Sequence, residues 1–323
     1  MFGMNVPLVR FLFGVVILLI STQLFVKLSV KLSHILRVSP LIIGMIVLSF
    51  GTTLPELSVS IMSHVSDSDG VGLASGTIVG STIVNFLLIF PAAILMGEDI
   101  RVGTTKTQRN SLILIAAVIF FLLMQKLNIP AVISGILLIL SLFATNFLEL
   151  KWGIKGRVHE DKTVMDLLKK EKVTADLIIG LIFSVICVTL GGLIVVVSME
   201  ELASMWGYST TVLGLTLSGV VTSLPDLFTA VSSQRKDEDK LTIGHIVGGS
   251  LYNLLFIGGI INIIGGKMNL GLIESGFLFI TAFLFFLILH FYKGKNIPKW
   301  VGMVFLLMFF IYIYVVSFYG KSI

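Results

Sequence analysis

The sequence predicts an all-α polytopic membrane protein: ten transmembrane helices arranged as two inverted five-helix repeats. Three observations predict it. The 323 residues are 56% hydrophobic and only 13% charged, with a mean hydropathy of +1.03. Basic residues collect in alternate connections between the apolar runs. Two sequence blocks recur in the same order about 170 residues further on.

The composition excludes an ordinary soluble enzyme. The net charge of +5 does not point to nucleic acid, because the basic residues sit between apolar segments, where orientation signals belong. The single cysteine, Cys187, has no internal disulfide partner. The first apolar run is followed by "KLSVKLSHILRVS" rather than a small-residue cleavage site, so no signal peptide is expected.

A bilayer core of ~30 Å needs ~20 apolar residues as helix. With that ruler, spans 1 to 5 fall at roughly 8–28, 40–64, 71–96, 108–125 and 129–149. Spans 6 to 10 fall at roughly 176–198, 209–233, 241–265, 271–291 and 299–319. Trp152, Trp206 and Trp300 lie near span ends, as interfacial anchors do. The 24 phenylalanines are scattered through the spans and read as packing and lipid-facing surface. The polar stretch 151–175 is a cytoplasmic linker between a first repeat, 1–150, and a second, 176–323.

Nineteen of the 23 lysines and arginines lie in the connections after spans 1, 3, 5, 7 and 9, and the other four are Arg10, Lys126, Lys267 and Lys321. The positive-inside rule then places both termini outside and the linker in the cytoplasm, in an integral, multi-pass cell-membrane protein.

The repeat is read from two block pairs. "TTLPEL" (52–57) matches "TSLPDL" (222–227), and "GTIVGSTIVN" (76–85) matches "GHIVGGSLYN" (244–253). Five spans is an odd number, so the second copy enters the membrane from the opposite side. Lys31, expected inside, accordingly aligns with Glu201, expected outside. Inverted repeats of this kind mark secondary transporters, with the site near the midplane where broken helices meet. The bland alternative is a duplicated bundle whose glycine spacing serves only helix packing.

The first block pair combines a helix break with a carboxylate. Pro55 has no N–H for the carbonyl of Gly51, and Pro225 none for that of Val221. Unpaired backbone oxygens at membrane depth need a partner. Thr52, Thr53, Thr222 and Ser223 add hydroxyls, and Glu56 and Asp226 add one formal negative charge each. An all-oxygen site of charge near −2 suits Ca²⁺, which takes six to eight oxygens in flexible geometry, better than Mg²⁺. No Cys/His cluster suggests zinc or copper. In the second block pair Thr82 and Ser250 match each other, three residues before Asn85 and Asn253. His245, which matches Thr77, is read mainly as a packing or hydrogen-bonding residue, with proton transfer as the alternative.

These blocks resemble the alpha repeats of the cation/calcium exchanger superfamily, the sodium/calcium exchangers and their prokaryotic relatives, over almost the whole chain outside the linker. The resemblance implies ten helices, an external N-terminus, and exchange of Ca²⁺ against Na⁺ by alternating access, with no cofactor. It implies that Glu56 and Asp226 bind Ca²⁺ with Thr52 and Thr222, while Thr53, Ser223, Thr82 and Ser250 shape flanking monovalent-ion positions. It also implies that spans 1 and 6 slide against the rest, and their aliphatic, glycine-poor sequences suit a smooth sliding face. The chain departs from the family pattern in the second blocks. Thr82 and Ser250 stand where an amide or acid is usual, Gly249 replaces a serine, Val221 a glycine, and Asp226 is shorter than the commoner Glu, as in the potassium-dependent branch.

Three readings remain open at this point: Ca²⁺/Na⁺ exchange with altered stoichiometry, coupling to H⁺ or K⁺ or use of another cation on the same scaffold, and a membrane scaffold or sensor that does not transport. An intramembrane protease is excluded, since His245 has no evident nucleophile partner and no Gly-x-Gly-Asp occurs in the spans. The expected partners are inorganic cations and the lipid bilayer, and a monomer is compatible with the sequence. The acidic patches "SDSDG" (66–70) and "KDEDK" (236–240) read as solvated loops, or as places where cations gather at the two entrances.

Overall fold

A computed structural model describes residues 2–35, 49–66, 70–97, 100–103, 105–155, 173–235 and 239–319. Among them eight helices are long and apolar enough to cross a membrane, nine if Thr211–Thr222 and Leu224–Val231, bent by 41° at Ser223, count as one. Span 2 is described from Ser49 onward, as Ser49–Thr52 and Leu54–Ser66. Its first part, most of the linker and most of the two acidic patches lie outside the described residues.

Helices outrun the apolar runs that predict them. The first is Phe2–Ile35, the fifth is Ala131–Lys155 and the sixth is Ala175–Trp206. The ruler measures only hydrocarbon thickness, whereas a helix keeps its hydrogen bonds through the headgroup layer. The fifth helix therefore takes up the first residues assigned to the linker.

Spans 3 and 8 form the centre. Most of Gly72–Met96 (83%) and of Thr242–Ile264 (78%) is buried, against a third or less of span 1 or span 10. The outer helices present Phe143, Phe147, Ile179, Phe183 and Phe310 outward. An apolar surface of that extent fits a lipid solvent and not water.

Residues of like expected side meet at the ends of the bundle. Val102 N–H donates to Lys295 O (3.0 Å) and Ile297 N–H to Ile100 O (2.9 Å), joining the connections after spans 3 and 9. Arg235 Nε donates to Met96 O at 3.4 Å. On the other side Arg10 pairs with Glu201 at 2.7 Å and Lys267 Nζ reaches Leu127 O.

The Arg10–Glu201 pair also fixes spans 1 and 6 as antiparallel neighbours. Gly14 lies against Ile194, Gly191 against Leu18 and Gly180 against Leu28. Gly192 sits against the side chain of Ser58, whose hydroxyl donates to Val188 O at 3.1 Å. Span 6 is thus keyed to spans 1 and 2 by glycines, which corrects the expectation of a glycine-poor, smooth face. The signal was the Gly191-Gly192 dipeptide.

Spans 3 and 7 cross more closely still. A Cβ at Gly80 would stand 2.6 Å from Leu215 O, and one at Gly219 would stand 2.8 Å from the carbonyl carbon of Gly80. Gly76 and Gly214 are equally confined by the facing backbone. Small residues that let backbones touch are how membrane helices associate when no hydrophobic force separates protein from lipid.

Candidate functional site

The two matched blocks break their helices in the same way. In span 2 the helix stops at Thr52, turns at Thr53 and restarts at Leu54. In span 7 it stops at Thr222, turns at Ser223 (φ −81°, ψ 3°) and restarts at Leu224. Each proline is therefore the second residue of a new helix, where its missing N–H would have been unpaired anyway. The hinge falls two residues ahead of the proline. Glu56 and Asp226 are third residues of helices of 13 and 11 residues, in the first turn, where the helix dipole favours negative charge.

Both carboxylates are buried, Glu56 at 0% and Asp226 at 2% exposure. Ser223 Oγ donates to Glu56 Oε1 at 3.2 Å, linking span 7 to span 2. Glu56 Oε2 and both Asp226 oxygens have no hydrogen-bond partner. Two buried carboxylates with three unpartnered oxygens cost several kcal/mol unless a cation or a proton joins them.

Apart from Ser223, the hydroxyls expected at the site give protons to their own helices. Thr52 Oγ1 donates to Ser49 O (3.3 Å), Thr53 Oγ1 to Phe50 O (3.1 Å) and Thr222 Oγ1 to Ser218 O (2.9 Å). Thr82 Oγ1 donates to Ile78 O and Ser250 Oγ to Ile246 O, both at 2.8 Å. A hydroxyl whose hydrogen is given to its own helix keeps oxygen lone pairs for another donor or a cation. Ser250 uses one: Asn85 Nδ2 donates to its oxygen at 3.2 Å. Thr222 meets Ser81 at 3.2 Å. Thr82, among the described residues, is hydrogen-bonded to none of the other expected site residues.

The sequence singled out Asn85 and Asn253 only as markers, yet both lie in π-helical turns, Asn85–Ile89 and Tyr252–Ile257, at matched places in spans 3 and 8. A π turn leaves backbone groups out of register and recurs at functional sites. Asn85 Oδ1 and both amide atoms of Asn253 are buried without partners. Ser81 and Ser218 are further additions, Ser218 through a 2.9 Å contact with Thr77. His245, expected to pack or hydrogen-bond in the bundle, brings its Nε2 to 3.1 Å from Asp226 Oδ1. That role places it beside a site carboxylate. Beside this region a crevice lined by Asn110, Thr145, Asn146, Gly244 and Tyr252 runs along span 8.

Among the described residues no three His, Cys, Asp or Glu side chains gather in one place. Any cation held here therefore draws on hydroxyl, amide and backbone oxygens as well as the carboxylates, the donor set that suits a hard, flexible divalent ion.

The chain is similar to known proteins over most of its length. The family model described as "Sodium/calcium exchanger protein" matches residues 6–148 and 177–318. Sodium/calcium exchanger MaX1 of Methanosarcina acetivorans is 25% identical, over 95% of this chain and 97% of its own. The putative antiporter CaxA of Alkalimonas amylolytica is 26% identical, over 81% and 82%. The sodium-calcium exchanger NCX_Mj, solved after soaking in 10 mM Na⁺ without Ca²⁺, shares the fold, with a TM-score of 0.64 over 95% of this chain and 98% of that one at 24% identity. The family model covers both halves and leaves out only the linker and the extreme ends, so the chain belongs to the sodium/calcium exchanger family, membrane-spanning cation antiporters rather than enzymes.

Proposed function

We propose that this chain exchanges Ca²⁺ for Na⁺ by alternating access, through ten spans built as two inverted five-span repeats (1–150 and 176–323) joined by the linker 151–175. The observation that carries the reading is the pair of buried carboxylates, Glu56 and Asp226, each in the first turn after a helix break, with three of their four oxygens unpartnered. Ca²⁺ binds between them with Thr52, Thr222 and the Gly51 carbonyl freed by Pro55; the Val221 carbonyl, expected to be free at Pro225, accepts the Ser223 N–H. Na⁺ ions use the same carboxylates with Thr53, Ser223, Thr82 and Ser250.

Charge enforces the exchange. The loaded site is near neutral and crosses, while the empty site carries about −2 and does not, because moving net charge through hydrocarbon costs several kcal/mol or more. Antiparallel packing of spans 1 and 6, and the meeting of residues of like expected side at each end of the bundle, support the inverted topology. The external N-terminus and cytoplasmic linker rest on the positive-inside distribution of lysine and arginine.

The test is ⁴⁵Ca²⁺ uptake into proteoliposomes loaded with Na⁺, with K⁺-loaded and acid-loaded vesicles as controls. Uptake that needs the outward Na⁺ gradient is the expected result. Its loss in Glu56→Gln and Asp226→Asn ties it to the site, and full exchange in both variants would sink the reading. An imidazole 3.1 Å from Asp226 favours one alternative, coupling to H⁺. Uptake driven only by the acid interior would establish that instead.

A further inference from the structure

Resting on the antiport reading, we propose that the crevice between spans 4, 5 and 8 is the linker-side mouth of the cation route, and that Tyr252 is the residue that closes it.

The crevice is built from the ends of three spans that share one expected side. Asn110 stands in the first turns of span 4, Thr145 and Asn146 near the end of span 5, and Gly248 in the first half of span 8. By the order of the spans, each lies in the half of the bundle that carries the linker. Asn110, Thr145 and Asn146 set a polar lining among apolar side chains, and polar groups at membrane depth mark a water-filled route more than a packed seam. Thr145 gives its hydroxyl proton to Leu142 O at 2.8 Å and keeps oxygen lone pairs for the crevice. Span 8 is thin here. Gly248 lines the crevice, and a Cβ on the next residue, Gly249, would stand 3.3 Å from Asp226 Oδ2. At this level a stretch of helix without side chains stands between the crevice and an unpartnered carboxylate oxygen.

Tyr252 joins the two sides of that partition. Its hydroxyl is in the crevice, where Asn146 Nδ2 donates to it at 3.2 Å. Its buried ring lies edge-on to Phe50 at 6.0 Å and to Phe256 at 6.1 Å. Phe50 also meets Phe256 at 5.8 Å and Phe25 of span 1 at 6.5 Å. Thr53, at the turn of span 2, gives its hydroxyl proton to Phe50 O. The rings therefore tie the break in span 2 to spans 1 and 8, on the linker side of Glu56. The π turn that starts at Tyr252 supplies the movement. Its return to α geometry turns the ring by about 100° around the helix axis and takes it out of these contacts. The opposite side lacks such a closure: at the matched positions, which the inverted repeat puts there, stand Val84, Leu88 and Val220 in place of Tyr252, Phe256 and Phe50.

Two measurements test this. The first is the concentration of Ca²⁺ giving half-maximal ⁴⁵Ca²⁺ uptake, in inverted membrane vesicles, where the linker side faces out, and in right-side-out vesicles. Tyr252→Phe keeps the ring and removes the hydroxyl. It should lower the value about threefold on the linker side and not on the other, because losing one interhelical hydrogen bond raises the population of the state open to the linker side by about that factor. Tyr252→Val, which installs the matched residue, should lower it further on the same side. An unchanged or raised linker-side value in both variants, or an equal fall on both sides, would overturn the proposal. The second measurement needs no transport. In Thr145→Cys, with Cys187→Ser removing the native thiol, a charged, membrane-impermeant thiosulfonate should react from the linker side alone. Reaction from the opposite side, or only with a lipid-soluble maleimide, would overturn the proposal, the latter by making the crevice a lipid-facing groove. Ca²⁺ uptake that survives Glu56→Gln would instead overturn the antiport reading, and the thiol reaction would still decide whether the crevice opens to the linker side.

Discussion

Gly80→Ala tests whether the crossing of spans 3 and 7 holds the site together. A Cβ at Gly80 would stand 2.6 Å from Leu215 O, 2.8 Å from Leu215 Cα and 2.9 Å from Gly214 O. All three are backbone atoms, so no rotamer change relieves the contact. Restoring an ordinary separation of about 3.4 Å requires the helices to part by about 0.8 Å locally. The hydrogen bonds that cross the same seam would lengthen with it. Ser81···Thr222, now 3.2 Å, would reach about 4 Å, and Thr77···Ser218, now 2.9 Å, about 3.7 Å. Overpacking costs about 1–3 kcal/mol, and each interhelical hydrogen bond in a membrane protein about 0.6 kcal/mol, so the variant should lose about 2–4 kcal/mol. For 323 residues that corresponds to an unfolding midpoint about 3–6 °C lower in detergent. Uptake should fall further than stability alone requires, because Thr222 sits beside the Ser223 hinge. Gly276→Ala is the control, as no atom lies within 4 Å of a Cβ there. It should leave the midpoint unchanged or raise it slightly, through helix propensity. If Gly80→Ala unfolds at the wild-type temperature and transports at the wild-type rate, the crossing is not what positions the site.

Three further expectations follow from the same contacts. Ser223→Ala removes the donor to Glu56 Oε1, and at about 1 kcal/mol for such a bond the concentration of Ca²⁺ giving half-maximal uptake should move about fivefold, with no change if the 3.2 Å contact contributes nothing. Gly192→Ala drives a methyl into Ser58 and should slow exchange while leaving equilibrium Ca²⁺ binding, read by calorimetry, near wild type; equal losses of both would place the effect on the site itself. Arg10→Gln removes an exposed ion pair with Glu201 and should shift the unfolding midpoint by no more than about 1 kcal/mol allows, an effect that shrinks further in high salt.

What the sequence made legible follows the range over which each signal acts. The spans could be read because hydrocarbon thickness imposes a length on every apolar run. The helix breaks could be read because proline acts on its own backbone. Even so, the turn falls at Thr53 and Ser223, since a proline is tolerated in the first turn of the restarting helix and the break moves ahead of it. The π turns at Asn85 and Tyr252 left no local signal, because one extra residue in a turn changes neither hydropathy nor propensity. The keying of span 6 was available in Gly191-Gly192 but needed a partner helix to give it meaning. His245 shows the limit most clearly. Its type and its match to Thr77 could be seen in the sequence, but its contact with Asp226 depends on the relative height of spans 7 and 8, which only packing fixes.

That height also bears on how the two repeats divide the work. Both carry a broken helix with an acid in the first turn after the break, so either could hold half of a cation's shell. Glu56 receives a hydroxyl from the other repeat, Ser223, which favours oxygen coordination and leaves one carboxylate oxygen available. Asp226, one methylene shorter, receives no hydrogen bond and faces an imidazole of its own repeat across 3.1 Å. A duplicated site with identical halves would offer one ion two equal resting places and no order of binding. Here the two halves differ in kind: one acid takes a hydroxyl from the other repeat, while the shorter acid faces an imidazole of its own repeat. An exchanger needs that inequality: two ions that compete for one set of carboxylates must be told apart by what stands beside each.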